Sequence, residues 1–331
     1  MTVRILTTGG TIASLPDPDT GAKRPALSGE ELVASVPGLD GVAGIDVEEI
    51  VSLTSWNLTP ADMLAVARRA SAALAEPDID GVVVTHGTDT LEETAFLVDI
   101  TLRSERPVVV VGAMRSADEL SADGPRNLLN AVRVAAAPEA RDAGGVVAMG
   151  DEVHAARWVR KLDSGLASAF SSPRRGPIGR VTPSSLDLPW VPPRAFTLDP
   201  PEELAHEVPI VNGYPGMDAA VVDAVVEASG AAGLVVEGTG SGNVPGGAVA
   251  GIRRAAEAGL PVVAATRVPG GAGRSGYGSP GGGAELREIG VVGAGPLSAG
   301  KARLLLMGLL ATGMSGEAAA RAFEEAVATF R

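Results

Sequence analysis

The chain has 331 residues, 45% of them hydrophobic and only 3% aromatic, which is enough for two domains with aliphatic cores. Its formal net charge of −13 opposes phosphate backbones and anionic lipid, and so excludes nucleic-acid-binding and membrane-surface roles. The absence of cysteine excludes disulfides, thiolate metal sites and a cysteine nucleophile.

Met1 leads directly into a first strand, Ile5 to Thr7, with no apolar signal segment before it and no run long enough to span a bilayer. A cytoplasmic location is expected on that ground. Thr8-Gly9-Gly10-Thr11 follows as a glycine turn that places Thr11 at the carboxyl end of the strand. No lysine follows where a phosphate-binding loop needs one, and the dinucleotide fingerprint is incomplete, so no cofactor is expected. Residues 16–29, rich in Pro, Asp, Gly and basic residues, read as an exposed mobile loop. After the apolar stretch Ile50 to Leu53 come Thr54, Ser55, Trp56 and Asn57. Thr59 and Pro60 then begin a helix carried by Ala61 to Leu74.

The central stretch is Val82 to Glu93, VVVTHGTDTLEE. Three valines after Gly81 read as a buried parallel strand. Thr90 with Glu93 three residues later reads as a capping box, starting a helix that runs to about Leu102. Between them, His86, Gly87, Thr88 and Asp89 occupy a strand-to-helix turn, the edge where open α/β sheets bind ligands. On this segment alone, Thr88 and Asp89 read more simply as helix caps and His86 as a hydrogen-bonded loop histidine. Further strands are expected at Val108 to Val111 and Val146 to Met149, with a helix from Pro125 between them. His154 to Lys161 breaks this rhythm. Pro173 to Pro201 has the composition of a linker, and βα alternation then resumes from Val208. Residues 270–283 are glycine-rich and expected to be mobile, and two helices close the chain. The expected architecture is therefore two α/β domains. A larger doubly wound, mostly parallel domain covers residues 1–190, a linker 191–212, and a smaller parallel-sheet domain 213–331.

Every polar loop of the first half leaves the carboxyl end of its strand, so right-handed crossovers bring these loops to one edge. That edge gathers two threonines, Thr11 and Thr88, and the carboxylate of Asp89. A threonine hydroxyl needs a base and an oxyanion site to act as a nucleophile. Lys161 can serve as the base, and the N–H groups around Gly10, Thr11 and Gly87 as the oxyanion site. A Ser-His-Asp triad is the weaker reading, because no serine sits in a nucleophile elbow. With only His86, His154 and His206, no metal centre is expected.

TTGGTIAS at Thr7 to Ser14 and THGTDTLEETAF at Thr85 to Phe96 resemble the paired signatures of bacterial-type L-asparaginases. The resemblance continues through VGAMRSADELSADGPRNLLNAV at Val111 to Val132 and into EGTGSGNVPGG, ATRVPGG and KARLLL. It implies hydrolysis of L-asparagine to L-aspartate and ammonia through a threonine nucleophile and an acyl-enzyme, in a homotetramer built from dimers. It places the nucleophile at Thr11 and the second catalytic group at Thr88, Asp89 and Lys161. It also places the substrate-carboxylate serine at Ser55, and at Asn243 a residue that reaches the neighbouring subunit's site. Asp89 is expected to hold the substrate α-amino group. Which threonine attacks first stays open.

Three departures accompany the resemblance. The family's lid tyrosine is missing from GAKRPALSGEEL. Its partner glutamate from the second domain has no clear match in RSGYGSPGGGAEL, which offers Tyr277 and Glu285 at shifted positions. Trp56 stands where the family often carries glutamine or another polar residue. Tyr277 is expected to take the lost tyrosine's role, the alternative being a tyrosine in a merely mobile glycine loop, and the bulk of Trp56 is expected to disfavour glutamine. The competing readings are a broad glutaminase–asparaginase, an amidase subunit serving a tRNA-linked amidotransferase, and a non-catalytic binder of aspartate or asparagine. The amidase subunit usually carries RNA-facing segments, and this chain has neither the extra length nor a basic patch. A binder has no need for both hydroxyls.

Overall fold

A computed structural model describes residues 1–271 and 276–330, which form two compact units, Met1–Thr197 and Leu198–Arg331. The division falls within the stretch 191–212 expected to be a linker, and the strand Ile210–Asn212 belongs to the second unit.

The first unit runs β1 (Thr2–Gly9), β2 (Ser14–Pro16), β3 (Lys23–Pro25), α1 (Gly29–Ala34), β4 (Gly44–Leu53), α2 (Pro60–Ala75), β5 (Gly81–Thr85), α3 (Leu91–Thr101), β6 (Val108–Val111), α4 (Gly124–Ala136) and β7 (Gly145–Met149). It ends with the short strands β8 (Glu152–Ala155), β9 (Arg160–Lys161), β10 (Phe170–Ser171), β11 (Gly179–Val181) and β12 (Leu186–Asp187). The main sheet has the order β12-β11-β8-β7-β6-β5-β1-β4. Its strands are parallel from β4 to β7 and antiparallel beyond. The valine runs of β5 and β6 are fully buried, as a sheet covered on both faces requires.

Two features of this sheet position the site. The chain passes from β1 outward to β4, then returns past β1 to β5. The strand order therefore reverses between β1 and β5, at the crevice where such sheets hold ligands. The register also brings the carboxyl ends level: Thr7 pairs with Thr85, Thr85 with Val111 and Gly9 with Leu53.

Two local expectations are corrected. Residues 16–29 are not a featureless loop, since β2 and β3 pair as a hairpin. Asp17 closes the turn by accepting N–H bonds from Asp19 and Thr20 at 3.0 Å and an ion pair from Arg24 at 2.7 Å. Ser28 and Glu31 then form a capping box on α1. At α3 the helix begins where expected, but Thr90 makes no side-chain cap. Its hydroxyl donates instead to the carbonyl of Ser55 at 2.8 Å, tying the loop after β4 to the start of the helix. By contrast α2 carries the expected cap, with Thr59 and Asp62 bonded reciprocally and Pro60 in the first turn.

A buried ion cluster locks α3 to the far part of the sheet. The Asp99 carboxylate accepts Nε and Nη2 of Arg157 at 3.0 and 3.2 Å and the backbone N–H of Gly145 at 3.0 Å. Arg194 approaches the same carboxylate at 3.7 Å, and burial pushes its guanidinium pKa down. Cutting one partner from such a buried group costs about 3–5 kcal/mol, because the other charge is left uncompensated.

The second unit comprises β13 (Ile210–Asn212), α5 (Ala219–Ser229), β14 (Leu234–Gly238), α6 (Val249–Glu257), β15 (Val262–Thr266), α7 (Gly283–Glu288), β16 (Val292–Gly293), α8 (Ala299–Ala311) and α9 (Gly316–Ala328). Its four strands are parallel and in sequential order. Leu234 and Val236 share a core with Val222 of α5 and Ile252 of α6, while the alternate residues Val235 and Val263 turn to the other face. Of the glycine-rich stretch 270–283 expected to be mobile, residues 272–275 lie outside the described residues.

The first unit buries two histidines. His86 has Nδ1 at 2.7 Å from the Gly87 carbonyl and Nε2 at 2.8 Å from the Thr94 hydroxyl, so Nδ1–H donates and Nε2 accepts. His154 lies against the Ser172 hydroxyl at 3.1 Å. Burial lowers both pKa values to about 4. The unfolded chain therefore takes up protons first as pH falls below about 6.5, while the folded unit stays neutral to about pH 4. The stability these groups contribute is complete above pH 6.5 and is lost on descent to about 4, on the order of 3 kcal/mol per histidine. Urea unfolding of the first unit at pH 7.5 and pH 5 should show a clear fall in midpoint, and an unchanged midpoint would contradict neutral burial.

Candidate active site

The carboxyl end of β1 closes with Gly9 and Gly10, and a single 3-10 turn, Thr11–Ala13, follows. Ile12 and Ala13 are buried, so Thr11 is the member of the turn left partly exposed. The Ser14 hydroxyl donates back to the Gly10 carbonyl at 2.8 Å and fixes the turn. The Thr8 hydroxyl donates to the Thr85 carbonyl at 2.8 Å, joining the ends of β1 and β5.

Two glycines allow three loops to meet. Gly10 adopts φ +85, and a Cβ there would stand 2.3 Å from the Gly87 nitrogen. A Cβ on Gly87 would stand 2.7 Å from the Ser55 hydroxyl oxygen. The loops after β1 and β5 thus pack backbone to backbone, and the Ser55 side chain from the loop after β4 packs onto Gly87, an approach that favours glycine at both positions. The Ser55 hydroxyl accepts the Asp89 N–H at 3.2 Å, and Ser55 itself is buried.

Around this contact lies a cavity of about 110 Å³, bordered by Thr11, Ser55, Thr88 and Asp89, with Trp56 on one wall. That is well below the roughly 300–1,000 Å³ of pockets for drug-sized molecules, so its occupant is small. Trp56 is 66% exposed. Lys23 from the hairpin and Ser116 from the loop after β6 complete the wall. Glu119 joins these two, accepting Lys23 Nζ at 2.6 Å and the Ser116 N–H at 3.1 Å. Its carboxyl pKa is lowered, chiefly by Lys23.

Lys161 arrives from a separate segment. Its Nζ donates to the Thr88 hydroxyl at 2.8 Å and to Asp89 Oδ1 at 2.7 Å. Its backbone N–H donates to Glu92 Oε2 at 2.7 Å. The structure therefore brings Thr88, Asp89 and Lys161 into direct contact and sets Thr11 and Ser55 on the same cavity. His86 faces the core beneath α3 and meets its hydrogen bonds there. Among the described residues no group of three or more His, Asp and Glu side chains could hold a metal ion.

Asn243 and Tyr277 lie in the second unit. Asn243 closes a tight loop after β14, its carbonyl accepting the Thr239 N–H at 2.8 Å. Tyr277 is 67% exposed, and its carbonyl accepts the Ala284 N–H at 3.1 Å. Glu285 is engaged within its own unit, accepting the Gly281 N–H at 2.8 Å and facing Arg253 at 3.6 Å. Sequence reasoning missed Lys23, Ser116 and the link from Glu92 to Lys161. For Lys23 a signal existed in the composition: the chain has three lysines among 27 basic residues, and two of them stand at this site.

Residues 2–194 match the family described as Asparaginase, N-terminal, and residues 207–323 match the Glutaminase/Asparaginase C-terminal domain. The chain is 36% identical over 313 residues to L-asparaginase 2 of Bacillus subtilis (strain 168), covering 92% of this chain and 81% of that one. It is 37% identical over 311 residues to a protein of Haemophilus influenzae (strain ATCC 51907 / DSM 11121 / KW20 / Rd) named Probable L-asparaginase periplasmic, covering 92% and 87%. The crystal structure of a Probable Cytoplasmic L-asparaginase from Campylobacter jejuni superposes with a TM-score of 0.87 at 33% identity, covering 99% of each chain. With both characteristic domains matched along nearly its whole length, the chain belongs to the asparaginase family of enzymes.

Proposed function

We propose that the chain hydrolyses L-asparagine to L-aspartate and ammonia through an acyl-enzyme on Thr11. The observation that carries this reading is Lys161 Nζ, 2.8 Å from the Thr88 hydroxyl and 2.7 Å from Asp89, beside a small cavity bordered by Thr11. Asparagine matches the site chemically. Its α-ammonium meets the exposed Asp89 carboxylate, and its α-carboxylate meets the Ser55 hydroxyl. The Thr11 hydroxyl attacks the side-chain carbonyl carbon, and its proton passes to the amide nitrogen, which leaves as ammonia. The N–H groups of Gly10, Thr11 and Gly87 receive the developing oxyanion. Water oriented by Thr88 and Lys161 then adds to the ester. The acyl C–O bond breaks, and Thr11 regains its proton as aspartate departs.

Thr11→Val and Thr88→Val keep shape and volume but remove a hydroxyl. Each is expected to lower the rate of ammonia release from L-asparagine by at least about 10²-fold while the protein stays folded. Near-normal turnover by either variant would remove that residue from the mechanism.

Trp56 narrows the cavity beside Asp89, which supports a preference for asparagine over glutamine. One extra methylene is worth about 1–3 kcal/mol in such a pocket, so kcat/KM should favour asparagine by roughly 10–200-fold. The paired naming of glutaminase and asparaginase in the matched C-terminal family supports the broader alternative. Equal efficiency on the two amides, with Trp56→Gln leaving their ratio unchanged, would make that alternative the right one.

The assembly proposed is a homotetramer in the cytoplasm, with Asn243 reaching the neighbouring subunit's site. Among the described residues no helix is long and apolar enough to cross a membrane. Tyr277 is proposed to serve the nucleophile in place of the missing lid tyrosine. That the residue is largely exposed, on a chain whose only other tyrosine is Tyr214, supports this role. Tyr277→Phe should cut kcat on asparagine by at least about tenfold if the hydroxyl assists proton transfer. Unchanged kcat would end the assignment.

A further inference from the structure

Helix α3 presents two carboxylates to the segment that bears Lys161. Glu92 and Asp99 are seven residues apart, two turns along the helix, and therefore on the same side. Asp99, 2% exposed, grips Arg157 through Nε and Nη2. Four residues after Arg157, the backbone N–H of Lys161 donates at 2.7 Å to Glu92, which is 9% exposed. Regular structure adds little between these anchors: β9 has two residues and, among the described residues, pairs only with the two of β10.

We infer that Glu92 is a positioning residue for Lys161, fixing its backbone so that Nζ reaches the Thr88 hydroxyl. The inference rests on the catalytic role proposed above for Lys161. A lysine side chain is a flexible four-carbon stem, and its ammonium is placed only as well as its Cα. Thr88 and Asp89 hold the ammonium end, and Glu92 holds the backbone end. The bond is charge-assisted and largely shielded from water, which makes it stronger than a neutral one. A carboxylate in the first turn of a helix is favourable in itself through the helix dipole. That role needs no contact with Lys161, and the two roles predict different mutants.

Glu92→Asp keeps the charge at the helix start but is one methylene too short to reach the Lys161 amide. Glu92→Gln loses the charge but keeps an oxygen that accepts the bond. Positioning predicts that Glu92→Asp and Glu92→Ala lower kcat on L-asparagine by about 10–100-fold with KM within about threefold of wild type. It predicts that Glu92→Gln restores kcat to within about threefold. A dipole role predicts the reverse order, with Asp near wild type and Gln impaired, and that result would overturn the inference.

A second readout does not depend on turnover. With only Lys23, Lys161 and Lys301 in the chain, 13C-lysine labelling resolves the ε-carbon of Lys161. Its NMR signal should move in the Asp and Ala variants and return in Gln. An unmoved Lys161 signal in Glu92→Asp would also overturn the inference. If wild type releases no ammonia from asparagine, the proposed function fails, and the Lys161 signal still decides the role of Glu92.

Discussion

The site depends on one ammonium group held between a hydroxyl and a carboxylate. Lys161 reaches Thr88 and Asp89 across more than seventy positions of sequence, and nothing local to either segment could produce the contact. Three constraints make it possible. The sheet levels the carboxyl ends of β1, β4, β5 and β6. The reversal of strand order opens a crevice between β1 and β5. Helix α3, whose first turn follows the Thr88-Asp89 turn directly, anchors the Lys161 segment with Glu92 and Asp99. The helix that begins at one half of the site thereby fixes the other half.

The loops around the cavity obey a second constraint, close approach at two glycines. Gly10, Gly87 and Ser55 meet at distances that leave no room for a side chain on either glycine. This compactness sets Thr11 and Thr88 on one small cavity, as the proposed two-step hydrolysis requires.

Much of this was legible from particular residues. The valine runs at 82–84 and 108–111 announced buried parallel strands, and Thr59-Pro60 announced the start of α2, because those signals are local. The glycine pair before Thr11 and the turn at Gly87 pointed to the ligand edge, because strand-to-helix loops share that edge in such sheets. What escaped depended on partners distant in sequence. Thr90 has the spacing of a capping box, but its hydroxyl is taken by the Ser55 carbonyl, a competitor that no local pattern reveals. Residues 16–29 read as loop by composition, yet Asp17 organises them into a hairpin that brings Lys23 to the cavity wall. Glu92 looked like part of a helix start, and its hold on Lys161 follows only from the path the chain takes after β8.

The central claim is that two threonines on one cavity divide the reaction, with Thr11 carrying the acyl group and Thr88, bonded to Lys161, promoting its release. Its most direct test is mass spectrometry of protein quenched in acid during reaction with L-asparagine, using the Thr88→Val variant so that the intermediate accumulates. The account predicts an added aspartyl group on the peptide that contains Thr11, absent when Thr11 is also replaced by valine. An aspartyl group that persists in that double variant, or unmodified protein throughout continuing ammonia release, would contradict it.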